Sequence, residues 1–291
     1  MTSGGRSLDI VRLGPHVEQW HADHRAYPSG APLVVTGREG RMAIDSSLDV
    51  VPTDHDGFLL SHFHEDHVVG VAASGLPVLV HADDLSAVRS WQGFADASGY
   101  TDPAWHELVT TQFSWRAMTR AETLTPGRPI DLGGVTVTPV HLPGHTPGHC
   151  GFLVEPDHVL YLGDIDLSSF GPYYGDATAS LVDTIASLRA VREIDAQVYT
   201  TFHHRGHVVG RAAFETALDR HAVMIRARHE RVQALLDAGH LDADDMTGRG
   251  VVYRPGTRPP WGLEGERRMI ELHLSHDPSD LPAPPHEQDD A

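Results

Sequence analysis

The segment SHFHEDH, Ser61 to His67, places His62, His64, Asp66 and His67 within one short stretch of chain. Imidazole nitrogen and carboxylate oxygen form the ligand set for Zn²⁺, Fe or Mn²⁺. The chain has 22 His and 40 acidic residues in 291 positions. At that composition, three His and one acid at fixed spacing arise by chance in about 0.02 of chains, so the motif is a metal-site hypothesis before it is a polar loop. Ligands one residue apart on an extended segment point to opposite sides. The loop must therefore bend, and Gly70 lies close enough to assist.

Three further groups follow. In HLPGHTPGHCG, Pro143-Gly144 and Pro147-Gly148 read as tight turns that present His145 at a loop tip. In YLGDIDL, Asp164 ends a short apolar strand. A carboxylate placed there needs a strong partner, which a cation supplies. In TTFHHRGH, His203, His204 and His207 again follow a strand. Four strand ends bearing His or Asp imply convergence at one edge of a sheet. His149 reads as a side chain that packs or hydrogen-bonds a ligand. His141 and His207 carry no specific signal. Cys150 reads as a small buried hydrophobe. Tyr173 and Tyr174 read as packed loop aromatics, with a hydrogen bond to substrate as the alternative.

These residues require a frame. From Leu8 to about Ile44 the sequence reads as short β segments, with LVV at 33–35 and RMAID at 41–45 flanking GREG. Phe58-Leu59-Leu60 enters the His loop, and Val78 to Val80 is another buried strand. A helix is expected near 83–91, opened by Asp83 or Asp84. Residues 92–129 show weak periodicity and read as a lid or substrate wall. Strands follow in GVTVTPVHL, CGFLVE, HVLYLGD and AQVYTTF. Leu181, Ile185, Leu188 and Val191 mark one helix face. Ala212 to Ala238 reads as one long helix or two, stopped by Gly239. Its apolar face around Phe214, Leu218 and Ile225 implies core or subunit contact, leaving a homodimer open. Residues 1–7 read as a loose tail. The Pro-rich acidic segment 276–291 is expected to be disordered. Strands mixed with helices indicate a layered α/β or α+β domain.

Composition narrows the function. The chain is long enough for one large domain with a sizeable core. Its 40% hydrophobic content and mean hydropathy of −0.26 fit a soluble globular protein. The formal charge of −18 disfavours a broad nucleic-acid footprint, although Arg226, Arg228 and Arg231 cluster on the long helix. A single Cys excludes an intrachain disulfide framework. No apolar run is long enough to cross a membrane. The start MTSGGRSLDI lacks an apolar signal segment, so a cytoplasmic location is expected.

The ordered motifs SHFHEDH, PGHTPGH, GDIDL and the His after the strand ending at Phe202 make the chain resemble the metallo-β-lactamase fold superfamily, from about Leu8 to Gly210. PGHTPGH is most similar to the glyoxalase II-type hydrolase branch. In the β-lactamase branch proper a Cys would stand where Asp164 does, which disfavours antibiotic hydrolysis. The resemblance implies an α+β fold, an αββα four-layer sandwich with a C-terminal helical extension. The corresponding division is a metal-binding domain at 1–210, a helical segment packed on it at 211–275, and the tail. It also implies two divalent metals, Zn²⁺ foremost, with Fe or Mn²⁺ open. His62, His64 and His145 would hold the first, and Asp66, His67 and a His of the 203–204 pair the second. His203 is preferred because it directly follows the strand. Asp164 would bridge both, and Asp45 looks like the family's early supporting Asp. The chain departs from the pattern with VVG after the first motif and FHHRG in the last, which bears on the second metal's ligand.

The implied chemistry is attack by a metal-bridging hydroxide on an ester, thioester, lactone or phosphoester of a small molecule, with Asp66 also orienting the nucleophile. Two other readings keep the ligands: an iron-dependent redox enzyme, and a non-catalytic metal-binding module. No membrane or nucleic-acid partner is expected.

Overall fold

A computed structural model describes residues 8–22, 24, 26–259 and 262–282. Among them, strands β1 Asp9–Arg12, β2 Val17–His21, β3 Leu33–Thr36, β4 Arg41–Ile44, β5 Gly57–Leu59, β6 Val78–Val80 and β7 Glu122–Thr123 form one sheet in sequence order. Pairing is antiparallel from β1 to β4 and parallel from β4 to β7. The second sheet joins β8 Ile130–Asp131, β9 Thr136–His141, β10 Cys150–Glu155, β11 Val159–Tyr161, β12 Val198–Thr200 and β13 His207–Val209. Its β11–β12 pair is parallel, and the other pairs are antiparallel.

Side-chain alternation assigns each strand two faces. In β10, Phe152 and Val154 point between the sheets, while Leu153 packs toward helices. In β11, Val159 and Tyr161 share that inner core with Val17, Leu33, Ile44 and Leu59 of the first sheet, and Leu160 faces out. Both sheets therefore need a helical cover. Four helices, α1 Val71–Ser74, α2 Leu85–Arg89, α3 Trp91–Ser98 and α4 Pro103–Thr111, lie on the first sheet's side. Val88, Phe94, Trp105 and Val109 there pack with Phe58, Val78 and Val80. The second sheet is covered by α5 Leu181–Arg192 and α6 Arg211–Asp237, followed by α7 Ala243–Met246 and α8 Gly262–Ser275. The order is α/β/β/α, as expected.

Local chemistry explains the helices. The Ser180 hydroxyl caps α5 by accepting from Asp183 N, and Leu181, Ile185, Leu188 and Val191 are all buried. The long helix is one 27-residue element, and its Phe214, Leu218 and Ile225 face the core. Phe214 stacks on Tyr199 at 3.8 Å. Gly239 follows the helix end at φ 95°, a backbone angle that glycine adopts without steric cost. The expected helix near 83–91 breaks at Ser90, which ends α2 and caps α3 by accepting from Gly93 N.

Two expectations change. The arginines of the long helix do not form a basic patch: Arg228 is fully buried, Arg226 donates to Pro282 O, and Arg231 donates to Val251 O. Of the segment expected to be disordered, residues 276–282 are described, and Leu281 among them packs on the domain. Leu281 is 5% exposed, and Arg189 donates to Asp280 O. Residues 283–291, like the 1–7 tail, lie outside the described residues. No helix among the described residues is long and apolar enough to cross a membrane.

Candidate metal centre

The motif residues leave the sheets at one edge. His62 follows β5, Asp164 follows β11 and His203 follows β12, while His145 lies in the turn between β9 and β10. Parallel pairing of β4 with β5 places Asp45 beside Ser61. Asp45 is fully buried at φ 60°. It accepts from Ser61 N at 2.7 Å, Ser61 Oγ at 2.6 Å, His67 Nδ1 at 2.9 Å and Tyr161 OH at 2.7 Å. The motif loop and the ring of His67 are thereby fixed by one carboxylate, in the supporting role expected of Asp45.

His62, His64, His145 and Asp164 form one group, and Asp66, His67 and His203 a second. In the first, His62 Nε2 lies 2.9 Å from His64 Nδ1 and 3.2 Å from His145 Nε2, and the latter two are 3.0 Å apart. The outer nitrogens have other partners. His145 Nδ1 donates to Tyr173 O at 2.9 Å, His64 Nε2 donates to Asp176 Oδ2, and His62 Nδ1 lies 2.9 Å from Ser61 Oγ, whose own proton goes to Asp45. When the three rings are neutral, each inner nitrogen therefore presents a lone pair; on His64 a bound cation would take the place of a proton. Three lone pairs at such separations repel unless a cation joins them. The spacing is close to the roughly 3.3 Å edge of a tetrahedron with Zn–N bonds of about 2.0–2.1 Å.

The second group has the same logic. His67 Nδ1 donates to Asp45 and His203 Nδ1 to Ser29 O at 2.8 Å, so both Nε2 atoms face inward. His203 Nε2 is 2.9 Å from Asp66 Oδ2, and His67 Nε2 is 3.0 Å from Asp164 Oδ1. The buried atoms Asp66 Oδ2, His67 Nε2 and Asp164 Oδ1 are nonetheless not aligned as hydrogen bonds. Close, buried and misaligned donor atoms fit ligands of a common centre. Asp164 faces both groups: Oδ1 lies toward His67, and Oδ2 is 3.2 Å from His145 Nε2. His204 stands apart. Its side chain is 41% exposed against 6% for His203, and it lies 3.6 Å from Asp166.

Electrostatics follow from burial and these contacts. Burial, then the imidazoles of His67, His64 and His145, holds His62 well below the usual histidine value. Burial also acts to lower His64, but the Asp176 carboxylate outweighs it and raises the ring to about 9. Burial opposes ionisation of Asp164, and His67 and His203 overcome it, holding the carboxyl well below the carboxylate range.

The structure also shows supporting residues that the sequence did not mark. Asp176 orients His64. Asp84 accepts from Thr146 Oγ1 at 2.7 Å and Gly148 N at 2.8 Å, clamping the turn that carries His145. A Cβ on Gly148 would come within 2.6 Å of Asp84. His149, expected near a ligand, accepts from Asp164 N at 3.1 Å and donates to Leu142 O. Gly163 turns the chain at φ 55°, where a Cβ would lie 2.6 Å from His149 Nε2. Tyr174 is packed against His273, whereas Tyr173 reaches a cavity.

That cavity, of about 250 Å³, opens over both groups and exposes His64, Asp66, His145, Asp164 and His203. Its walls include Tyr27, Tyr100, Trp105, Phe170, Tyr173 and Tyr253. The 92–129 segment thus supplies wall through Tyr100 and Trp105, and the C-terminal extension through Tyr253.

No protein-family profile matches the chain. It is 27% identical over 216 residues to a hydroxyacylglutathione hydrolase of Acidiphilium cryptum, covering 74% of this chain and 67% of that protein. A hydroxyacylglutathione hydrolase of Methylococcus capsulatus is 25% identical over 137 residues, covering 47% of this chain and 52% of the relative, so the chain spans about half of that protein. A metallo-β-lactamase family protein of Thermus thermophilus superposes with a TM-score of 0.68 at 20% identity, over 90% of this chain and 93% of the other. The chain has the metallo-β-lactamase fold.

Proposed function

We propose that this chain is a metal-dependent hydrolase that opens an ester, thioester, lactone or phosphoester of a small molecule at two divalent cations, Zn²⁺ foremost. The reading rests above all on the three inward-facing imidazole nitrogens, 2.9 to 3.2 Å apart, whose rings are fixed by acceptors behind them. Relatives named as hydrolases support the same class. Bound cations supply Lewis acidity and bring the pKa of water towards about 7, which provides a nucleophile near neutral pH.

The protein's own residues do the rest. His62, His64 and His145 would hold one ion, and Asp66, His67 and His203 the other. Asp164 presents one oxygen to each group. Asp66 lines the cavity floor, where its carboxylate also orients the attacking group. The aromatic walls exclude water and position the scissile bond above the ligands. No protein Ser or Cys is required as nucleophile: Cys150 is buried, and burial pushes its thiol well above the usual range.

Metal content and ester hydrolysis of His64→Ala and Asp164→Ala provide the test. Both variants are expected to lose metal and at least about a hundredfold in kcat/KM, the scale on which removing one group that stabilises the transition state acts. Full metal content in both would remove the site assignment.

A further inference from the structure

The cavity walls carry information that the ligand set does not. We propose that the cavity selects carboxylic esters and thioesters whose non-reacting part is apolar and bears no anionic group. This rests on the hydrolase reading and narrows it to a substrate class.

The first observation is charge. Besides the candidate ligands and the tyrosines, the ionisable groups on the described lining are the acids Glu65, Asp166 and Asp176 and the imidazole of His204. No arginine is among the described lining residues. The chain has no lysine at all. Arg228, behind the cavity, is fully buried, with its guanidinium 4.8 Å from the Phe170 ring centroid and its donors on the carbonyls of Phe170 and Pro172. Arg205 and Arg254, next to the lining residues His204 and Tyr253, are exposed and are not themselves part of the lining. Arg258, next to the rim residue Pro259, is paired with Glu266 at 3.0 Å.

Neither acid nearest the floor is spare. Glu65 accepts from Tyr27 OH at 2.9 Å, and Asp176 is engaged by His64. A carboxylate or phosphate tail is normally recognised by guanidinium forks or clustered N–H donors. Away from the cations at the floor, such a tail would meet acidic and aromatic walls with no guanidinium fork, which discriminates between partners.

The second observation is surface. Tyr27, Tyr100, Trp105, Phe170, Tyr173 and Tyr253 offer ring faces and edges that reward apolar contact. Tyr100 and Tyr173 hydrogen-bond each other, so their hydroxyls are turned to one another. Phe170 and Tyr253 lie 5.6 Å apart on one wall. The volume of about 250 Å³ is just under the roughly 300–1,000 Å³ common for ligand pockets, which favours a small group. An acyl-glutathione, the substrate class in the name of the bacterial relatives, carries carboxylates on a long tail and matches neither the walls nor the charge.

The experiment compares matched pairs on the full-length, metal-loaded protein. One pair is a thioester of a neutral thiol against the same acyl group on glutathione. The other is an aryl ester with a para-methyl group against its para-carboxylate. Non-hydrolysable amides of the aryl pair are titrated by calorimetry, so that binding is read without turnover. The neutral member is expected to win by at least about tenfold in kcat/KM and in amide affinity, the scale of a like-charge penalty. Tyr253→Arg, on the wall away from the ligands, is expected to narrow that ratio about tenfold by offering a guanidinium. Equal or reversed preference in the unaltered protein, by rate or by amide binding, overturns the inference. If no ester is hydrolysed yet the neutral amide binds selectively, the hydrolase reading fails and the cavity's selectivity stands.

Discussion

At the scale of single residues, the site depends on carboxylates behind the imidazoles. Asp176 takes the Nε2 proton of His64 and so commits Nδ1 to the centre of the first group. Removing a carboxylate behind a ligating His commonly costs 10–100-fold in metal affinity. Asp176→Ala is therefore expected to weaken binding of the first cation by about that factor, measured by competition with a chromogenic chelator. Unchanged affinity would mean that the ring is held by packing alone. The ligand-type residues were legible because His and Asp recur at strand ends in a fixed order. His203 over His204 was legible as a preference only, and the contact of His203 with Asp66 supports it. Asp176 and Asp84 were not legible, because each acts on a residue far away in the chain and no local pattern marks an acid that will meet it.

At the scale of elements, the turn between β9 and β10 must hold His145 without help from a ladder. Thr146 and Gly148 are tied to Asp84, the residue just before α2 in the first sheet's helical cover. Asp84→Ala leaves a buried hydroxyl and a buried N–H without their acceptor, a loss of about 1–3 kcal/mol. Denaturant unfolding of the metal-free protein should show that loss. A change below about 0.5 kcal/mol, the scatter of ordinary surface substitutions, would deny the clamp. Strands were readable from alternation in Gly134 to Leu142 and from short apolar runs such as Cys150 to Glu155, and α5 and α6 from their apolar helical faces. The 92–129 segment was not. Its helices are short, and the apolar positions of α3 and α4 mix core residues such as Phe94 and Val109 with the cavity residue Trp105, so no single stripe emerges.

At the scale of the molecule, the C-terminal extension docks through buried polar pairs. Tyr174 OH lies 2.9 Å from His273 Nε2 on α8. Burial, then the charges of Arg228, His229 and His276, lowers His273 to about 3 from its ordinary 6.5. The unfolded chain therefore binds more protons than the native one between those values, and stability must fall as pH drops through 6.5 toward 3. His273→Gln, which keeps a hydrogen-bonding group for Tyr174, should flatten the acid side of a melting-temperature profile relative to the unaltered protein. Identical acid slopes would assign the sensitivity to other buried histidines such as His149, itself lowered to about 3. A last consequence concerns assembly. Residues 62–67 emerge from one sheet, and His145, Asp164 and His203 from the other. Two fragments severed between β7 and β8 would each inherit an incomplete set of donors, so ion capture by the mixture would report that the halves had found each other in register.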